Sequence, residues 1–214
     1  MLAEKLLSGS NATSNNFIEV VKSASGDEDS YAVCFDTAGN IYTTGYSSIT
    51  GGYPIETIKY DSSGTIQWQR KLSYGVYDIG YGIAVGSSGS VYISGTTYIG
   101  TTYYGYVAKY DSSGALQWQR KLVDGAGTNG NIRCIALDSS ENIYGIGLSQ
   151  PSGVSLQAVL VKYNSSGVLQ WQRKLSLAST DLYTNYLALD SSNNIYITGY
   201  YVGGAITSAP FLIK

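Results

Sequence analysis

One stretch of fourteen residues, Lys59-Tyr60-Asp61-Ser62-Ser63-Gly64-Thr65-Ile66-Gln67-Trp68-Gln69-Arg70-Lys71-Leu72, returns almost letter for letter at 109–122 and again at 162–175. A chain that writes a strand, a turn and a second strand three times, about fifty residues apart, is an array of stacked supersecondary units. Each unit has an apolar face that only its neighbours can bury. The array therefore reads as one domain over 16–214, with units ending near 72, 122 and 175 and an arm at 1–15.

Two further apolar runs recur between these copies, so each unit carries four strands, lettered a to d. Strand a covers 33–36, 83–86, 135–138 and 187–190, and strand b covers 41–45, 91–95, 143–147 and 195–199. Strand c ends on Lys59, Lys109, Lys162 or Lys214. In strand d, Ile66, Trp68, Arg70 and Leu72 share one face and Gln67, Gln69 and Lys71 the other, by the two-residue period of a strand. Asp36-Thr37-Ala38-Gly39, Asp61-Ser62-Ser63-Gly64 and Asp111-Ser112-Ser113-Gly114 are hairpin turns: Asp bonds its own backbone and Gly takes the left-handed position. Glu141 and Asn193 stand where Gly39 and Gly89 stand, and so are expected at positive φ.

The composition agrees with an all-β chain. Its 21 Tyr suit pleated surfaces, its 26 Gly suit turns, and there are only 3 Pro. The chain starts on a d-type strand, residues 17–22, and stops on a c-type strand, so the count of strands closes only as a ring. Pairing 17–22 with 211–214 would complete a four-bladed β-propeller and remove its open edges. The small row Cys34, Ala84, Ala136 and Ala188 is expected to face the crowded axis.

These residues also carry a family resemblance. The succession of a Ser-Ser-Gly turn, an Ile/Val-Tyr-Ile/Val-Ser/Thr-Gly strand, a Lys-Tyr strand end, an Asp/Asn-Ser-Ser-Gly turn and a Trp-x-Arg-x-Leu strand resembles the bacterial β-propeller repeat called SBBP. It is carried by 86–95, 107–122 and their copies, and spans roughly 17–214. The resemblance implies one blade per repeat, in proteins of bacterial surfaces, secretions and some phage particles, generally without assigned chemistry.

Charge and chemistry narrow the function. Thirteen basic against fifteen acidic residues give a net charge of −2, which offers no field to gather nucleic acid or an anionic membrane. The N-terminal apolar run is too short for an export signal or a membrane span, so the chain reads as soluble. With no His, the usual general base and the commonest metal ligand are missing. Cys34 and Cys134 read as buried free thiols. No enzyme, cofactor or metal site is expected, and the acidic run Asp27-Glu28-Asp29 reads as solvated.

Trp68, Trp118 and Trp171 read as packing between blades, with Arg70, Arg120 and Arg173 stacked on them or paired with a carboxylate; ligand stacking and a phosphate-binding ring are the alternatives. The Lys59, Lys109, Lys162 and Lys214 row likewise reads as structural.

What differs between copies is the d–a and b–c loops, which emerge on one face. That face would carry Tyr46, Tyr53, Tyr74, Tyr77, Tyr98, Tyr103, Tyr104, Tyr183, Tyr200 and Tyr201 among small polar residues, the composition of adaptable binding loops. The expected function is a non-enzymatic recognition module for a protein or glycan, on a virion or cell surface. An assembly subunit docking through its arm, or a hydrolase with carboxylates at the axis, are the alternatives.

Overall fold

The alternating runs fold into strands throughout the computed structural model, which describes residues 2–6, 18–22, 27–49, 51–122, 129–203 and 206–214. Strands β1 (Leu2–Leu6) and β2 (Ile18–Lys22) form a two-stranded antiparallel sheet. Three four-stranded meanders follow. They are β3 (Glu28–Phe35), β4 (Ile41–Ser47), β5 (Ile55–Tyr60) and β6 (Ile66–Leu72); β7 (Tyr77–Val85), β8 (Val91–Ile99), β9 (Thr102–Tyr110) and β10 (Leu116–Lys121); and β11 (Asn129–Leu137), β12 (Ile143–Gln150), β13 (Gln157–Tyr163) and β14 (Leu169–Leu175). A fourth sheet holds β15 (Asp181–Leu189), β16 (Ile195–Gly203) and β17 (Ile206–Ile213). These four sheets are the blades. The first strand of each packs on the first strand of the next, β3 on β7, β7 on β11 and β11 on β15.

The expected closure pairing is not formed: Ile18–Lys22 pairs with Leu2–Leu6, and β17 has β16 as its only sheet neighbour among the described residues. Leu2–Leu6 lies in the segment assigned to the arm. Two strands near in sequence close at lower entropic cost than a contact between chain ends. Pro210, within β17, lacks the N–H that a ladder needs and belongs on an edge strand.

The turns fold as their residues dictate. Gly39, Gly64, Gly89, Gly114 and Gly167 have φ between 76° and 86°, while Glu141 (58°) and Asn193 (61°) take the same left-handed position. Asp36 Oδ1 accepts the N–H groups of Ala38 and Asn40 at 3.0 and 2.9 Å, and Asp61, Asp111, Asp138 and Asp190 repeat the pattern.

Each first strand is longer than its apolar run suggests and carries a bulge, at Ser30/Ala32, Gly80/Gly82, Ile132/Cys134 and Thr184/Tyr186. The glycine late in each second strand explains why. A Cβ on Gly45, Gly95, Gly147 or Gly199 would overlap the carbonyl of Asp29, Ile79, Asn131 or Tyr183 beside the bulge, so only Gly permits that approach.

Three cores lie between consecutive blades. Tyr42, Ile55 and Trp68 of the first blade meet Ile83, Ile93, Tyr106 and Ala108 of the second. Tyr92, Val107 and Leu122 then meet Ile132, Ile143 and Val161, and Tyr144, Ile146 and Leu160 meet Leu182, Leu187 and Ile197. Fully burying one such aliphatic side chain stabilises by about 1.5–3 kcal/mol. Cys34, Ala84 and Ala136 pack into these cores. Their smallness serves close approach between blades.

Candidate functional site

The two loop faces of the blades are built differently. On the Asp-turn face, Trp68 Nε1 donates to Ser112 O and Trp118 Nε1 to Ser165 O, both at 3.2 Å, across to the next blade's turn. Arg70 Nε donates to Gly114 O at 2.7 Å and Arg120 Nε to Gly167 O at 2.8 Å. Both guanidiniums stand over the neighbouring indole, 5.6 and 5.5 Å from its centroid, and Arg173 stands 5.7 Å from that of Trp171. Trp68 is buried and Trp118 and Trp171 are half-buried. The arginines thus bond carbonyls rather than carboxylates. Lys59, Lys109, Lys162 and Lys214 each lie over the tyrosine of their own second strand, at 5.4, 5.0, 4.7 and 5.4 Å.

The second blade's turn departs from this pattern and is completed by its neighbour. Tyr42, Tyr144 and Tyr196 donate their hydroxyls to the turn aspartates Asp36, Asp138 and Asp190. Gly86 holds that place in the second blade, and Glu141 reaches over from the third to accept Tyr92 Oη at 2.8 Å and Ser88 N at 3.3 Å. Burial pushes the Glu141 carboxyl up. The bonds from Tyr92 and Ser88 and the charge of Lys109 outweigh it and hold the group below its ordinary value.

On the opposite face, tyrosines meet one another. Tyr81 lies edge-on to Tyr31 at 5.4 Å, and Tyr31 lies 6.2 Å from Tyr46. The run continues through Tyr46–Tyr53 at 5.7 Å, stacked Tyr53–Tyr77 at 4.9 Å, Tyr77–Tyr98 at 6.0 Å and Tyr98–Tyr103 at 4.7 Å. Offset and edge-on rings at such distances attract by about 0.5–1.5 kcal/mol per pair. Tyr46 donates to Asp29 at 2.9 Å, and this bond, then burial, raises its phenol to about 12. Asp29 of the acidic run is therefore a hydrogen-bond acceptor. The buried Asp78 accepts the N–H groups of Tyr74 and Gly75 and fixes the loop before β7.

The structure thus brings Tyr46, Tyr53, Tyr77, Tyr98 and Tyr103 into one run and places the other expected residues apart. Tyr74 lies 6.2 Å from Tyr106, and Lys121 Nζ sits 4.2 Å over Tyr104. Tyr183 and Tyr200 stack on each other at 4.7 Å in the fourth blade, and Tyr201 packs against the third core.

At the inner end of the run lies a cavity of about 480 Å³, which the sequence reading missed. Tyr31, Tyr81, Arg133 and Asn185, the extra residues of the four bulges, line it together with Tyr186. Arg133 stands 5.9 Å over Tyr81. Burial raises the Tyr81 phenol, and the Arg133 charge opposes that. Aligning the repeats two residues before Val33, Ile83, Ile135 and Leu187 would have found all four. No carboxylate is among the described residues that line this cavity.

Residues 170–200 match the family model described as SBBP, a beta-propeller repeat. The chain carries an SBBP repeat. The matched stretch runs from the strand of Trp171 through the Asp190 turn to Tyr200, so it contains both the packing strand and the turn that define an SBBP unit here. Over 60 residues the chain is 37% identical to an uncharacterized WD repeat-containing protein, L264, of Acanthamoeba polyphaga mimivirus. That match takes in 28% of this chain and 4% of the relative's length. The crystal structure of a Dyadobacter fermentans DSM 18053 protein of unknown function superposes with a TM-score of 0.62 at 10% identity, over 85% of this chain and 59% of that one. The two share a fold. Among the described residues no helix is long and apolar enough to cross a membrane.

Proposed function

We propose that the chain is a non-enzymatic recognition module that binds a protein partner through its tyrosine-rich loop face. The observation that carries this reading is the connected run from Tyr81 to Tyr103, in which Tyr77 and Tyr103 stay 43% and 42% exposed. Tyrosine gives rigid, amphipathic contact area that loses little entropy on binding, and the neighbouring rings hold each member in place before a partner arrives. The WD-repeat relative supports a protein-interaction role. Placement on a virion or extracellular surface belongs to the same proposal.

An array carrying peptides, folded proteins and glycans tests it. A protein or peptide should bind, and chemical-shift mapping should then place the ligand at Tyr53, Tyr77, Tyr98 and Tyr103. Replacing Tyr77 and Tyr103 with Ser should weaken binding at least about tenfold, since aromatic residues dominate such contacts. Ligands that are all glycans would turn the partner class to carbohydrate. Shifts confined to the Asp-turn face would overturn the site.

A further inference from the structure

The three cores inside the chain obey one rule. The face of each blade that carries Tyr42, Tyr92 or Tyr144 meets the face of the next that carries Ile83, Ile135 or Leu187. Among the described residues, the trailing face of the fourth blade and the leading face of the first have no blade packed against them in this way.

Exposure at equivalent positions shows where each is uncovered. Leu212 stands opposite Thr198 as Thr57, Val107 and Leu160 stand opposite Thr44, Ser94 and Ile146. Those three are 0%, 1% and 8% exposed, whereas Leu212 is 69% exposed and Tyr186 on the same face 73%. On the leading face, Val33 is 61% and Phe35 72% exposed, while Ile83, Ile135 and Leu187 at Val33's position are 6–8% exposed. Further out, Ile58 is covered, which confines the open part to the inner strands. Large apolar side chains left open on a sheet face mark an interaction site. The two faces do not cover each other within one chain, since both are exposed in it.

We infer that the trailing face of the fourth blade docks the leading face of the first blade of a second copy of this chain, head to tail. The occupant follows from the rule: a leading face is what a trailing face buries at every internal interface, and a second copy carries one. Val33, Phe35, Tyr186, Thr198 and Leu212 are uncharged, and Lys214 on the trailing face lies over Tyr196 as Lys59, Lys109 and Lys162 lie over the tyrosines of the internal interfaces, so docking would strand no new kind of charge. A head-to-tail contact closes if its rotation allows and otherwise grows a chain of copies. This inference does not rest on the recognition reading, because it uses neither the tyrosine run nor its ligand.

Light scattering of the full chain over a dilution series tests it. Association to twice the chain mass or more is expected, weakening on dilution. Leu212→Glu and Phe35→Glu alter exposed side chains and should keep the wild-type circular dichroism and melting temperature, yet each alone should run as a monomer. Mixed in equal amounts, the two should pair again, because one variant keeps an intact trailing face and the other an intact leading face. Three results would overturn the inference: a wild-type chain that stays monomeric at every concentration, association that survives both substitutions, or loss in Leu212→Glu with no recovery on mixing.

Discussion

The Asp-turn face and the tyrosine face belong to the same strands yet hold together by different means. The first is stapled across blades by indole and guanidinium groups that bond the next unit's turn and by the Glu141 carboxylate, which bonds the unit before it. The second joins blades by ring contacts and by loop hydrogen bonds particular to each pair, such as Tyr53 N to Val76 O and Asp78 N to Tyr53 O, and leaves several rings in solvent. The difference teaches that near-identity between copies marks where one blade depends on the next. Divergence marks where each pair of blades is joined in its own way and where rings stay open to solvent.

The sharpest way to break that contrast is at the staple itself. Trp118→Ala should destabilise by about 3 kcal/mol, the lower end for a large aromatic in a core because this indole is only half-buried. Urea unfolding measures it, and a loss below about 1 kcal/mol would return Trp118 to the role of a ligand-stacking residue. Gly167→Ala should cost about 2 kcal/mol, because its φ is 76° and a Cβ would lie 2.7 Å from Trp118. A substitution tolerated without loss would mean that the turn has room to move.

Glu141 sharpens the contrast further. Its sequence position alone argues that Gly would relieve a strained φ, but the carboxylate serves the neighbouring blade. Glu141→Gly should therefore destabilise by about 1 kcal/mol, the net worth of a hydrogen bond to a charged group less the relief of strain. Adding Gly86→Asp should restore the loss by supplying the carboxylate from the blade's own turn. If Glu141→Gly stabilises, Tyr92 does not need its acceptor.

Acid should act on the same face, by a smaller and more gradual effect. Hydrogen bonds from Ser63 and Ser113 hold Asp61 and Asp111 below the usual 3.8, and the Asn194 side chain leads the bonds that hold Asp190 at about 2. A carboxyl lowered by folding contributes its full stability above its unfolded value and loses it as pH falls through its native value. Melting temperature should therefore be flat from neutral pH to about 4 and decline below it. A decline that begins near pH 6 would point to other groups.

Much of the fold was legible because its causes are local. Asp-Ser-Ser-Gly states its turn, and Trp68, Arg70 and Leu72 state a buried face by their spacing. Closure was not legible, because pairing of 17–22 depends on competition between Leu2–Leu6 and a distant edge, and Pro210 was the one local sign against the latter. The tyrosine face was legible as a composition, while the division of its members required the bulges that turn Tyr31 and Tyr81 toward the axis. Arg133 and Asn185 share no residue type with those two, so no repeated letter marked the cavity they form together.

The division of labour between the faces is tested most directly by comparing melting temperatures of two variants. One carries Tyr77→Ser and Tyr103→Ser, the other Asp61→Ala and Asp111→Ala. Removing two turn acceptors strands the N–H groups of Ser63, Thr65, Ser113 and Ala115, and should lower the melting temperature by several degrees more than removing two exposed rings. If the tyrosine variant falls as far or further, the loop face holds the blades together and is not free for a partner.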